Sequence, residues 1–426
     1  MSWRLAASIG TVTVASALSG DAAQQPTFRA TVDVVLVDVQ VVDADGRPVE
    51  GLQLADFDVR LNGRSRPVLS VDFVQATVDG GDTTVRRPSG AGPAARNIWP
   101  TPDDAPVRTF VIAIDANSLE AGDGAGVVRA ATTFLDQLSE QDLVGVVTLP
   151  RGPSLRPTTD RTSARRVLSN VSGLRAMRPN PFHLTPSEAA DIATEMDRAS
   201  LSRMAGGRGA SLFTPMVLRQ VQARECPGAA DQSCAQGIVI EADAQIRQIE
   251  DDVAESLAGL RTLLTLLADL PGRKTVVLLS GGMPVSDRSG GWHSDGSEVR
   301  SLGRATAAAN ATVYAVHVDR GFRAGQTPEA RVMRPGVTVG RDRELQQRLL
   351  ASFAATGGGT LIEATTDAGE AALDRILLET SARYTIGVAP DPSDLDGRIH
   401  ELRVRLTDSR GRVRSPRYVL LRPRPQ

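Results

Sequence analysis

The sequence predicts an α/β protein: a doubly wound, mostly parallel sheet with an α-helical insertion and a small β-sandwich module. Three observations predict it. Apolar runs at Phe110–Ile114 and within Asp142–Leu149 and Lys274–Ser280 have the pattern of strands buried on both faces. Segments with apolar residues at helical spacing stand between them. Short β-branched runs separated by turns lie at both ends of the chain.

In chain order, Arg4, the apolar stretch Leu5–Leu18 and small residues at Ala15-Ser16-Ala17 and Gly20-Asp21-Ala22 have the shape of a signal peptide over 1–23. Export to the periplasm or the cell exterior is the expectation. No later segment is apolar enough to span a bilayer. Alternating Thr31–Val41, the turn Asp43–Arg47, Phe57–Leu61, Asn62-Gly63 and Val68–Val74 predict an N-terminal β module over 27–76. A Gly-, Pro-, Asp-, Thr- and Arg-rich linker fills 77–107.

The main domain is expected over 108–390. It opens on strand Thr109–Ala116 and a helix near Gly126–Leu138, then strands Asp142–Leu149 and Leu155–Thr158 and a helix through Leu168. Residues 175–270 are an insertion. Thr185-Pro186-Ser187-Glu188 starts a helix, Phe213–Ala223 is helical, and apolar spacing from Ile246 to Leu267 marks a long helix over Glu241–Asp269. Strand Lys274–Ser280, helix Glu298–Ala309, strand Thr312–Val318, helix Glu344–Ala355, strand Thr360–Glu363 and helix Ala368–Ser381 complete the alternation. The tail carries strands at Arg383–Val388, His400–Leu406 and Arg417–Leu421. The first has the main sheet's edge open to it. Residues 398–422 either complete the N-terminal module or form a separate hairpin.

Asp115 ends the first buried strand, at the edge where open α/β sheets bind ligands. The run Asp115-Ala116-Asn117-Ser118-Leu119, the turn Thr158-Thr159-Asp160-Arg161, the segment Phe353–Leu377 and the N-terminal run Asp45–Gly63 together resemble bacterial von Willebrand factor A (vWA)-related proteins. The resemblance covers most of the chain after the signal and implies a vWA/Rossmann-like fold. It implies a protein partner bound at the strand ends, in adhesion or scaffolding. It also implies a cation site that opens Asp-x-Ser-x-Ser. Here Asn117 and Leu119 stand for the two serines, and Gly281 stands where the family has a second Asp, within Ser280-Gly281-Gly282. The threonine from the middle loop is either Thr185 or Thr214. Asp115 and Asn117 are thus the remnant metal ligands, with Mg²⁺ the only cofactor the pattern allows and none the default. Asp115, Asn117, Ser118 and Ser280 form the expected binding rim.

Other chemistries find little support. Lys and Arg total 48 against 50 Asp and Glu, a net charge of −2, so no basic field calls for nucleic acid. Ser280 sits at a strand end with His293 and His317 nearby in sequence, but no G-x-S-x-G elbow frames it. No enzyme activity is expected; the alternatives to an interaction module are a hydrolase using top-face residues such as Ser280 and a purely structural envelope protein. Gly272-Arg273-Lys274-Thr275 precedes a strand, where a phosphate loop precedes a helix. The arginines of 403–424 match a solvated strand face. Cys226 and Cys234, the chain's two cysteines, are expected to form a disulfide in an exported protein.

Overall fold

A computed structural model describes residues 33–75, 95–96, 108–120, 124–175, 179–204, 216–228, 232–285, 296–318, 336–364 and 369–423. The predicted signal peptide, most of the predicted linker, Thr214 and His293 lie outside these residues.

The elements run β1 (Asp33–Val42), β2 (Phe57–Leu61), β3 (Arg64–Arg66), β4 (Val68–Gln75), β5 (Ala95–Arg96), β6 (Thr109–Asp115), α1 (Gly124–Gln137), β7 (Leu143–Leu149), β8 (Ser154–Thr158), α2 (Arg161–Ser169), α3 (Pro186–Met204), α4 (Met216–Glu225), α5 (Gln232–Ala268), β9 (Lys274–Ser280), α6 (Ser297–Ala308), β10 (Ala311–Val318), α7 (Gly336–Thr356), β11 (Gly358–Ala364), α8 (Gly369–Thr380), β12 (Ala382–Val388), β13 (Ile399–Leu406), β14 (Arg412–Arg414) and β15 (Tyr418–Leu420).

The central sheet has the order β11-β10-β9-β6-β7-β8. It is parallel throughout except for β8, which pairs antiparallel with β7. Every residue of β6 and β9 is buried, because helices cover both faces. Phe110, Ile112 and Ile114 pack with α1, α2 and α8; Val111 and Ala113 pack with α5, α6 and α7. The chain leaves β6 toward β7 and later returns to β9 on the other side of β6. The β6–β9 crevice is therefore the topological switch point, where this architecture opens between strand ends.

Two smaller sheets, β14-β1-β12-β4 with β5 alongside β1, and β15-β13-β2-β3, close a β-sandwich. Its core includes Val37, Val39, Val59, Leu61, Tyr384, Ile386 and Leu402. The Tyr384 hydroxyl donates to the Val49 carbonyl at 2.9 Å and accepts from Leu52 N at 3.2 Å. The tail thus completes the N-terminal module. Arg383–Val388 belongs there too: β12 lies between β1 and β4, antiparallel to both, and not on the edge of the main sheet. The reason is directional. The chain leaves α8 at the amino edge of the sheet through a short turn, so the partners within reach run antiparallel, and both sides of β12 find ladder bonds there.

The sandwich is seated under the amino ends of the main strands by partly buried ion pairs. Arg273, just before β9, lies 3.5 Å from Asp38 of β1, and Arg383 lies 3.6 Å from the same carboxylate. Glu379, with no exposure, accepts from Arg375 at 3.1 Å and lies 3.5 Å from Arg414. Burial alone would raise Asp38, yet Arg383, Arg273 and the Thr385 hydroxyl hold it below the usual carboxylate range.

Among the described residues the insertion contains helices α3 to α5, and the Cys226–Cys234 disulfide links α4 to α5. The long helix starts at Gln232, earlier than its apolar spacing indicates, and the cystine ties its first turn to the end of α4.

Candidate functional site

Asp115 and Ser280 end neighbouring strands at the switch point, and Ser118 sits on the short turn Ala116–Ser118 that follows β6. The carboxylate of Asp115 is buried, 1% exposed. Its Oδ2 accepts the Ser280 hydroxyl at 2.7 Å and its Oδ1 accepts the Ser256 hydroxyl at 2.6 Å. Ser118 Oγ donates to the Asp115 carbonyl at 2.7 Å and accepts the Gly281 amide at 2.7 Å. Ser280 Oγ accepts the Gly282 amide at 3.1 Å. Three serines from three elements thus enclose one acid. Burial pushes the Asp115 carboxyl above the usual range, and the hydroxyls of Ser256, Ser280 and Ser118 pull it back only in part.

Ser256 is the residue that sequence reading missed. It belongs to α5, in the insertion. Its signal was present: it falls on the helix face defined by Val253, Leu257 and Leu260, a hydroxyl in an otherwise apolar buried stripe. Such a residue needs a polar partner.

The donor set does not fit a divalent cation. Mg²⁺ requires near-octahedral oxygen coordination with carboxylate charge. At the strand ends the carboxylate is that of Asp115, and each of its oxygens already accepts a hydroxyl hydrogen; Asp252 of α5, which also lines the adjoining recess, accepts from Gln248 Nε2 at 2.8 Å. The predicted ligand Asn117 turns its amide toward α5, donating to the Asp252 carbonyl at 3.2 Å and to Glu255 Oε2 at 3.3 Å. Leu119 is apolar and buried, and Gly281 brings no side chain. Thr185 is engaged elsewhere: its hydroxyl accepts the Glu188 amide at 3.1 Å as the cap of α3. Among the described residues no group of three His, Cys, Asp or Glu side chains gathers to hold a metal.

The structure brings Asp115, Asn117, Ser118 and Ser280 together, but beneath the surface: none is more than 8% exposed. A recess of about 20 Å³ adjoins them, lined in part by Arg175, Ile249, Asp252 and Pro284. It has room for about one water molecule. The reason for the burial is α5, which runs directly over the strand ends.

Ser280 has a histidine neighbour. His317 is its register partner on β10. The ring Nδ1, however, lies 3.0 Å from Gln347 Nε2 on α7, while the Ser280 hydroxyl goes to Asp115. A triad needs the histidine between acid and serine; here the serine stands between acid and histidine. Lys274, buried at the amino end of β9, has its ammonium donating to the Leu270 and Ala309 carbonyls at 2.5 and 2.8 Å. It supports the base of β9 and holds no phosphate.

No protein-family model matches this chain, and no curated protein does. Among solved structures it is similar to the crystal structure of the human COPII-coat protein Sec24c, at 9% identity and a TM-score of 0.25. That match covers 75% of this chain and 44% of the other, so the chain spans less than half the length of its structural neighbour. A likeness this distant assigns neither fold nor function.

Proposed function

We propose that this protein is an exported, vWA-like interaction module, serving adhesion or scaffolding, that grips a protein partner through its helical insertion and without a divalent cation. The observation that carries the reading is the commitment of the Asp115 carboxylate to Ser256 and Ser280 beneath α5, which leaves the strand ends neither a cation cage nor an open rim. The insertion, by contrast, exposes Leu201, Met204, Met216 and Ile240 on three helices, the last three each more than 60% exposed. Exposed large apolar side chains on each helix of the insertion are the feature that favours a protein partner there. The hydrophobic sequence start motivates export. No helix among the described residues is long and apolar enough to cross a membrane.

Crosslinking and pull-down from envelope extract test this. The expected result is a specific partner that is retained in chelator and lost when Ile240→Glu and Met216→Glu are introduced together. A partner released by chelator, or one indifferent to both substitutions, overturns the reading. A hydrolase built on Ser280 is the competing reading. Labelling of Ser280 by an active-site serine probe would favour it, but the acid–serine–histidine order argues against it.

A further inference from the structure

The strand-end site lacks the chemistry of an ion cage yet keeps a buried polar centre in which both oxygens of the acid are bonded. Buried polar networks of this kind persist only when every member is satisfied. Here the member that completes the network comes from far away in sequence. Ser256 supplies a hydroxyl to the acid that ends β6, whose other oxygen takes the hydroxyl that ends β9, so one carboxylate joins α5 to both strand ends.

The position of Ser256 along α5 gives this contact leverage. α5 runs antiparallel to the strands and enters β9 at its amino end. Ser256 therefore meets Asp115 at the carboxyl edge, and the 24 helical residues before it, Gln232–Glu255, continue beyond the sheet. At the α-helical rise this segment is about 36 Å long, and its last turns, with Ile249, Asp252 and Val253, still border the recess beside Asp115. It carries the remainder of the insertion. Ile238 and Ala242 pack with Leu184, Leu218 and Val221, while Ile246 and Ile249 pack with Ala190, Ala193 and Leu345. Asn117, one turn beyond Asp115, adds a second tie through the Asp252 carbonyl.

We propose that the Asp115–Ser256–Ser280 centre is a metal-free latch, in which Ser256 does the cross-linking work of a cation and fixes the angle of the helical arm on the sheet. Ser256 is a positioning residue, and Asp115 is its anchor. The latch requires no ion. It stands apart from any identified partner, so it can fail while the interaction reading survives, and the reverse.

Hydrogen exchange on the full-length protein tests it. The expected result is that Ser256→Ala speeds exchange across residues 238–255 of α5 about tenfold, as loss of a buried hydrogen bond implies, while β6, β7 and the sandwich strands keep their protection. Ser256→Thr, which restores the hydroxyl, should return exchange to within a few-fold of the parent. Millimolar MgCl₂, MnCl₂ or EDTA should leave the parent pattern unchanged. Cation-dependent protection of 238–255 would overturn the proposal, as would unaltered exchange in Ser256→Ala. A uniform acceleration of the whole chain would also overturn it, because it would reduce Ser256 to a general packing residue. Where Ser256→Ala does not fold, Ser256→Cys gives the same comparison with a weaker donor of similar size.

Discussion

Ser256 and Asp115, 141 positions apart in the chain, meet at 2.6 Å in a buried hydrogen bond. Ser280 occupies the other carboxylate oxygen at 2.7 Å. The two contacts join the long insertion helix to two central strands at one point. Asp115→Ala would strand both hydroxyls in a buried site, at a cost of about 2–5 kcal/mol. Asp115→Asn keeps an oxygen for Ser256 and brings an amide that can donate to Ser280 Oγ, so its cost should be smaller, about 1 kcal/mol. Urea denaturation at neutral pH measures both, and equal losses for the two variants would contradict the arrangement.

The glycine at position 281, where a second strand-end acid would stand, makes the ion question reversible. Gly281→Asp would place a new acid next to Asp115 and Ser118 at the end of β9. Two close carboxylates repel unless a cation or proton joins them. The variant should melt several degrees below the parent in chelator and recover in millimolar MgCl₂ or MnCl₂. The parent should show no such shift. Thermal denaturation with and without metal decides it.

Lys274 provides a pH signature. Burial pushes its ammonium down to about 8, against a usual lysine value of 10.5. The folded state then releases the proton first. Between about pH 8 and 10.5 the unfolded chain binds more protons, so stability should rise with pH in that window. The full gain is about 3 kcal/mol. Lys274→Met should flatten this part of the curve. Chemical denaturation from pH 7 to 10.5 reads the difference, and identical slopes for parent and variant would refute the assignment.

The seat between sandwich and central sheet depends on Glu379. Its carboxylate bonds Arg375 at 3.1 Å, lies near Arg414 of β14, and is fully buried. Glu379→Ala leaves Arg414 beside a buried site without its acid, and breaking such a pair costs about 3–5 kcal/mol. The expected result is a lower denaturation midpoint, with β1 and β14 opening before the central strands in hydrogen exchange. Simultaneous opening of both regions would argue that the pair does not hold the seat.

The chain by itself determined the elements. Runs such as Phe110–Ile114, apolar on successive residues, have one stable environment, a sheet covered on both faces. Helical spacing in Val127–Leu138 and Ile246–Leu267 gave the covering layers, and the alternation of the two gave the α/β class. The cysteine pair and the position of Asp115 at a strand end were equally local. Tertiary structure alone decided what Asp115 does. Its partners Ser256 and Ser280 lie 141 and 165 residues away, and no periodicity encodes which distant hydroxyl reaches a given carboxylate. The same holds for β12: its alternating pattern suits any half-buried sheet, and only the direction in which α8 delivers the chain puts it between β1 and β4. The exposure of the expected rim was likewise undecidable from sequence. Burial depends on what the insertion covers, and that follows from where a 37-residue helix leans.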